Sequence, residues 1–179
     1  FLQPEAENFA HCLDVCAGFI DIIIGRMGSA EFPTSLARYR ECLLLLGTEL
    51  LKKIRFQFNG TSLLKLDNVE TNDDLMTELQ EHVSDCTNVI VEIAKLYPHD
   101  IVGTAVTQFN EHADAFLRMH ENVTSEAGQV PRLTFRSVAA RQSIYVMCRD
   151  LVTSTQVVGK LAFYFTEDFA ARLDPAIAF

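Results

Sequence analysis

The sequence predicts an all-α protein built from long helices. Three observations carry that expectation. Apolar residues recur at helical spacing through most of the chain, the alternating runs and dense Gly/Asn turns of a sheet protein are absent, and 49% hydrophobic residues over 179 positions suffice for a real core. The stretch 148–173, CRDLVTSTQVVGKLAFYFTEDFAARL, shows the pattern at its densest. Cys148, Leu151, Thr155, Val158, Ala162 and Phe165 make one face apolar or small, while Val157, Leu161 and Tyr164 fall outside it. A helix that is apolar on more than one side is expected to be sandwiched between neighbours.

Five helices follow in order. The first begins after Pro4-Glu5 and aligns Phe9, Leu13, Cys16, Ile20, Ile23 and Met27 before a Gly28-Ser29 turn. Pro33 suits the first turn of the second, where a missing N–H costs nothing, and Leu36, Leu43, Leu46, Leu50 and Ile54 line it until Asn59-Gly60. A polar connection, 59–72, leads to Asn72 as the expected N-cap of the third helix, with Asp73 and Asp74 on its positive end. There Leu75, Leu79, Val83, Cys86, Ile90 and Ile93 share one arc, and Asp74, Glu78, Glu81 and Asp85 the opposite one. Tyr97-Pro98 breaks that helix, and the fourth turns Ile101, Ala105, Phe109, Ala113 and Phe116 inward. After a loop at 122–132 the fifth runs from about Thr134 to Phe165, with a further turn to Leu173.

Short connections (28–32, 97–100) alternate with long ones (59–72, 122–132). That rhythm suits antiparallel helix hairpins, about 5–58, 73–121 and 133–173, stacked as a HEAT-like α-solenoid segment. A closed five-helix bundle fits the same pattern; it would pack the first helix on the fifth, whereas a solenoid would leave apolar surface bare at both ends. The apolar termini, Phe1 and Ala176 to Phe179, make a single helical-repeat segment cut from a longer chain the expectation.

Composition narrows function. The formal charge of −9 comes from 24 acidic and 15 basic residues, so phosphate neutralisation is disfavoured and nucleic acid is not expected as a partner. Five Cys at mostly core spacing are read as reduced thiols in an intracellular compartment. No apolar run approaches the roughly 18 residues of a membrane span. The sequons at Asn59 and Asn122 are short, common motifs. No Walker loop, GxSxG elbow or HExxH pair occurs. Cys12 and Cys16 share a helix face but lack further ligands for a metal, and His112 and His120 are expected at the surface. Neither an enzyme nor a cofactor is expected.

Two stretches resemble a known family. Cys148-Arg149-Asp150-Leu151, then Val157 to Phe165, then Asp168-Phe169-Ala170-Ala171-Arg172, is similar to a central stretch of the exportins of the importin-β (karyopherin) superfamily, in particular the receptor that carries actin with profilin. Val91 to His99 is similar to the same family's helix–Pro–helix turn, and the likeness covers roughly 36–173. The resemblance implies HEAT repeats, shuttling between nucleus and cytoplasm, and binding of protein cargo (profilin–actin) together with Ran-GTP, the nucleotide belonging to Ran. It also implies an acidic insertion where Asp67 to Asp74 stand; here that link is shorter and mixed with Asn and Thr. The expected protein contact is therefore Asp67, Glu70, Asp73 and Asp74 with the row Glu78, Glu81 and Asp85. The alternatives are a cytoskeletal or adhesion scaffold of the vinculin or talin sort, and a lipid-binding bundle, which would want a basic rim.

Overall fold

A computed structural model describes residues 6–67, 77–124 and 138–164 and, among these, places six α-helices: α1 (Ala6–Ile24), α2 (Phe32–Lys53), α3 (Phe56–Leu66), α4 (Glu78–Leu96), α5 (Pro98–Thr124) and α6 (Val138–Leu161). A 3-10 turn, Ala162–Tyr164, closes the described chain. The all-α expectation holds.

Helix α1 buries Phe9, Leu13, Ile20 and Ile23, and ends in a turn where Gly28 takes a positive φ of 93°. Met27, expected inward, lies beyond the last helical turn and is exposed. Pro33 falls in the first turn of α2, as its missing N–H requires. Leu43, Leu50, Leu51 and Ile54 turn inward from α2, and Gly47 lies where α2 crosses its neighbours. A Cβ at Gly47 would stand 2.7 Å from Ile101 Cδ1, so the missing side chain sets how closely α2 approaches α5.

The sequence-based boundary after α2 needs correction. Asn59-Gly60 does not end the helix. The chain breaks earlier, at Ile54-Arg55, and the expected connection from 59 onward holds most of α3. Asn59 only kinks it (φ −128°, ψ 19°), its side-chain amide donating to the Lys52 carbonyl at 2.9 Å. The break is made from outside: both carboxylate oxygens of Asp150, on α6, accept the first N–H groups of α3.

Helix α4 is the hub, packing against α1, α2, α3, α5 and α6. Its expected arc is buried (Leu79, Val83, Cys86, Ile90, Ile93), but so are Thr87, Val89 and Ala94, because neighbours cover it from several sides. Its described start is Thr77, in a capping box with Gln80; the expected cap at Asn72 lies outside the described residues. Tyr97-Pro98 turns α4 into α5 as expected, and the Tyr97 hydroxyl donates to the Leu36 carbonyl at 2.5 Å, fixing the corner on α2.

Helices α5 and α6 pack on each other, α6 also on α3 and α4, while α1 rests on α4 and α2. This packing is consistent with a HEAT-like solenoid segment; among the described residues the main helix–helix contacts do not include one between α1 and α6. Each outer helix keeps an apolar stripe in solvent. On α1 it is Val15, Phe19 and Ile22, and on α6 Tyr145 and Val152, continued by Phe163. The face of α6 that the sequence marked for burial is rotated from the one that packs. Asp150, Thr153, Ser154, Val157 and Leu161 are buried, whereas Cys148, Leu151 and Val158 are half-exposed and Thr155 and Ala162 exposed. Two of the polar residues on the packed face bond other helices, Asp150 to α3 and Ser154 to His112 of α5.

Candidate functional site

The expected acidic contact is only partly assembled. Asp67 caps the end of α3 and forms an ion pair with Arg149 of α6, so its charge is engaged within the chain. Glu70, Asp73 and Asp74 lie outside the described residues. Glu78 and Glu81 occupy the first turn of α4, where acids favour the helix N-terminus, with Glu81 exposed and Glu78 half-buried. Asp85, one turn on, is half-buried. Burial, then Glu81 and then Asp14 of α1 push its carboxyl above the usual range, against the pull of Lys160. Asp14 therefore belongs to the acidic surface, which spans two helices, and sequence reasoning on one helix at a time missed it. Lys160 bounds it, donating from α6 to Asn88 Oδ1 (2.9 Å) and Ser84 Oγ (3.4 Å) across a groove of about 450 Å³.

A second polar cluster is buried where α2, α3, α5 and α6 meet. Asp150 is 3% exposed, with Oδ1 2.6 Å from the Phe56 nitrogen and Oδ2 3.1 Å from that of Gln57. It serves as the N-cap that Arg55, the residue in the cap position, cannot supply. His112 was expected at the surface; it is 7% exposed. Arg55 can only donate, so Nε2 of His112 accepts from Arg55 Nη2 at 2.7 Å and Nδ1 donates to Ser154 Oγ at 3.2 Å. The Ser154 hydroxyl in turn donates to the Leu151 carbonyl at 3.0 Å. Burial, reinforced by the Arg55 charge, keeps the imidazole neutral by lowering its pKa, with Asp150 opposing. The legible signal was Asp150 itself, a short acid in a helix interior, where Asp is disfavoured unless it bonds backbone.

The cluster binds helices together: Asp150 holds the start of α3, and His112 links Arg55 to Ser154 of α6, while Arg55 Nε is buried without a hydrogen-bond partner among the described residues. All five cysteines are free thiols. Cys86 is buried and its thiol is pushed up to about 12, chiefly by desolvation, so it acts as a small hydrophobe; Cys42, by contrast, is exposed. Among the described residues no three His, Cys, Asp or Glu side chains converge as metal ligands, and no helix is long and apolar enough to cross a membrane.

No family model and no solved structure matches the chain. Curated relatives do. The chain is 32% identical to exportin-6 of Homo sapiens over 181 residues, 30% to exportin-6 of Danio rerio over 181, and 25% to exportin-6 of Dictyostelium discoideum over 180. The first two alignments cover 99% of this chain, so the likeness includes α1, beyond the 36–173 expected from the motifs. The chain spans 16% of the length of each of these relatives. In sequence, from the first helix to the last, the chain is similar to a segment of the exportin-6 proteins.

Proposed function

We propose that this chain is part of a nuclear export receptor that binds protein cargo together with Ran-GTP and shuttles between nucleus and cytoplasm. The observation that carries this reading is the likeness to proteins named exportin-6 along 99% of the chain, with identities of 30–32% in several vertebrates. The fold supports it. Stacked helices with apolar outer stripes on α1 and α6 suit a segment with helical neighbours on both sides, acting by shape and charge. Profilin–actin is the proposed cargo, from the resemblance of the motifs at 91–99 and 148–172. The segment does no chemistry in this reading, and GTP is Ran's.

The proposed contact is the acidic surface of Glu78, Glu81 and Asp85, with Glu70, Asp73 and Asp74 of the link. Asp67 contributes less, because Arg149 already neutralises it. The test is charge reversal of Glu78, Glu81 and Asp85 to Lys in the intact protein, followed by binding of Ran-GTP and profilin–actin. Lower affinity for either, with a steeper loss at low salt, supports the surface. Unchanged binding of both discards this surface; failure of the unmodified protein to bind either discards the export reading itself.

A further inference from the structure

We propose that the hydrogen-bond chain of Arg55, His112 and Ser154 is a proton-sensitive latch on the corner between α2 and α3, closed while His112 is neutral and opened when it takes up a proton. Arg55 sits where α2 ends and α3 begins, His112 is on α5 and Ser154 on α6, so three separate elements are joined at one point. This inference does not depend on the export reading.

Hydrogen-bond roles make the latch. A guanidinium has donors only and keeps its proton, so Arg55 Nη2, 2.7 Å from His112 Nε2, requires a bare ring nitrogen there. Protonation puts a hydrogen on that nitrogen, and donor then faces donor with a positive charge on each side. The surroundings cannot hydrate the second charge: the cavity lined by Arg55, His112, Asp150 and Ser154 holds about 10 Å³, room for about one water. Of the two cations, Arg55 is the one free to leave. His112 is buried, whereas Arg55 is half-buried and also lines a groove of about 470 Å³ beside Glu111. It takes the start of α3 with it, because Nη2 also donates to Gln57 Oε1 at 3.0 Å and the guanidinium lies 5.0 Å from the Phe58 ring centroid. Asp150 adds a second link. An imidazolium attracts its carboxylate, which in the closed state accepts from the Phe56 and Gln57 amides and caps α3. Among the charged groups around His112, Arg55 opposes the protonated form, while Asp150 of α6 and Glu111 of α5 favour it. The other walls are uncharged, Leu51 and Ile54 from α2 and Phe56 and Gln57 from α3. Burial and then Arg55 prevail, holding the imidazole below its ordinary value of 6.5. The latch is therefore closed above that pH and opens as pH falls below it.

The test is amide hydrogen exchange of the intact protein at pH 7 and pH 5, corrected for intrinsic rates. Protection of α3 is expected to fall about tenfold or more between the two, and further than that of the α4 core, as the corner opens without the rest. His112→Gln, whose amide accepts from Arg55 and donates to Ser154 at either pH, should hold α3 protection within about threefold across the same range. Arg55→Gln, which takes away the opposed charge, should reduce the response, and His82→Gln should leave it as it is. The proposal is overturned if α3 and α4 lose protection together, if His112→Gln responds to acid as the parent does, or if the parent's α3 is equally protected at both pH values.

Discussion

Asp150 offers the sharpest test of how the helices are held together. Its carboxylate, 97% buried by its 3% exposure, accepts from Phe56 N at 2.6 Å and Gln57 N at 3.1 Å, 94 and 93 residues away in sequence. Replacing it with Ala removes both bonds and leaves the amide of Phe56, itself 3% exposed, without its partner. An N-cap is worth about 1 kcal/mol, up to about 2. A stranded buried donor adds about 1–3 kcal/mol, so Asp150→Ala should cost about 3 kcal/mol. Asp150→Asn keeps one oxygen but points an NH₂ at the second amide and loses the charge opposite the α3 dipole, for about 2 kcal/mol. Hydrogen exchange is the suitable assay, because it reads α3 apart from the rest. Amides in the first turns of α3 should exchange about 100-fold faster in Asp150→Ala, following from about 3 kcal/mol, while the buried core of α4 changes less. Exchange in α3 within about threefold of the unmodified protein would show that the helix holds its own N-terminus and that Asp150 is incidental.

Acid should destabilise the fold before its carboxylates titrate. Burial and then Lys53 lower the pKa of His82 to about 4, and burial with Arg55 lowers that of His112. Both imidazoles bind protons more tightly when unfolded, so their stabilisation is complete above about pH 6.5 and is lost as pH falls toward the folded values. For His82 the loss approaches about 2–3 kcal/mol by pH 4, after discount for its partial exposure. Urea midpoints measured from pH 7 to 5 should fall, less steeply in His82→Gln; a flat profile would remove the argument. At Gly47, a methyl gains about 1 kcal/mol of helix propensity but lands 2.7 Å from the buried Ile101 Cδ1. Gly47→Ala should therefore lie within about 1 kcal/mol of the parent, whereas Gly47→Val should cost about 2 kcal/mol or more. A stable Gly47→Val protein, judged by its thermal midpoint, would mean that α2 and α5 do not depend on this close approach.

Much of the architecture was written in local pattern. Phe9, Leu13, Ile20 and Ile23 on α1, and Leu79, Val83, Cys86, Ile90 and Ile93 on α4, are buried as their spacing required, because a helix displays one face every turn whatever it packs on. Gly28, Pro33 and Tyr97-Pro98 marked turns, since their backbone limits are intrinsic to the residues. The motifs at 91–99 and 148–172 pointed to the proteins the chain is similar to, although not to the likeness of α1.

Tertiary packing decided the rest. Whether Arg55 continues α2 or starts α3 depends on a carboxylate about 94 residues further along, and no window of local sequence contains both. Which side of α6 is buried was set with partners for Asp150 and Ser154, so hydrophobicity alone selected the wrong stripe. The same holds for the surface. Asp67 looked free until Arg149 met it, His112 looked exposed until α6 covered it, and Asp14 joined the acidic face only because α1 lies against α4. Periodicity along one chain fixes what each helix can bury; the pairing of charges between helices exists only once they are packed.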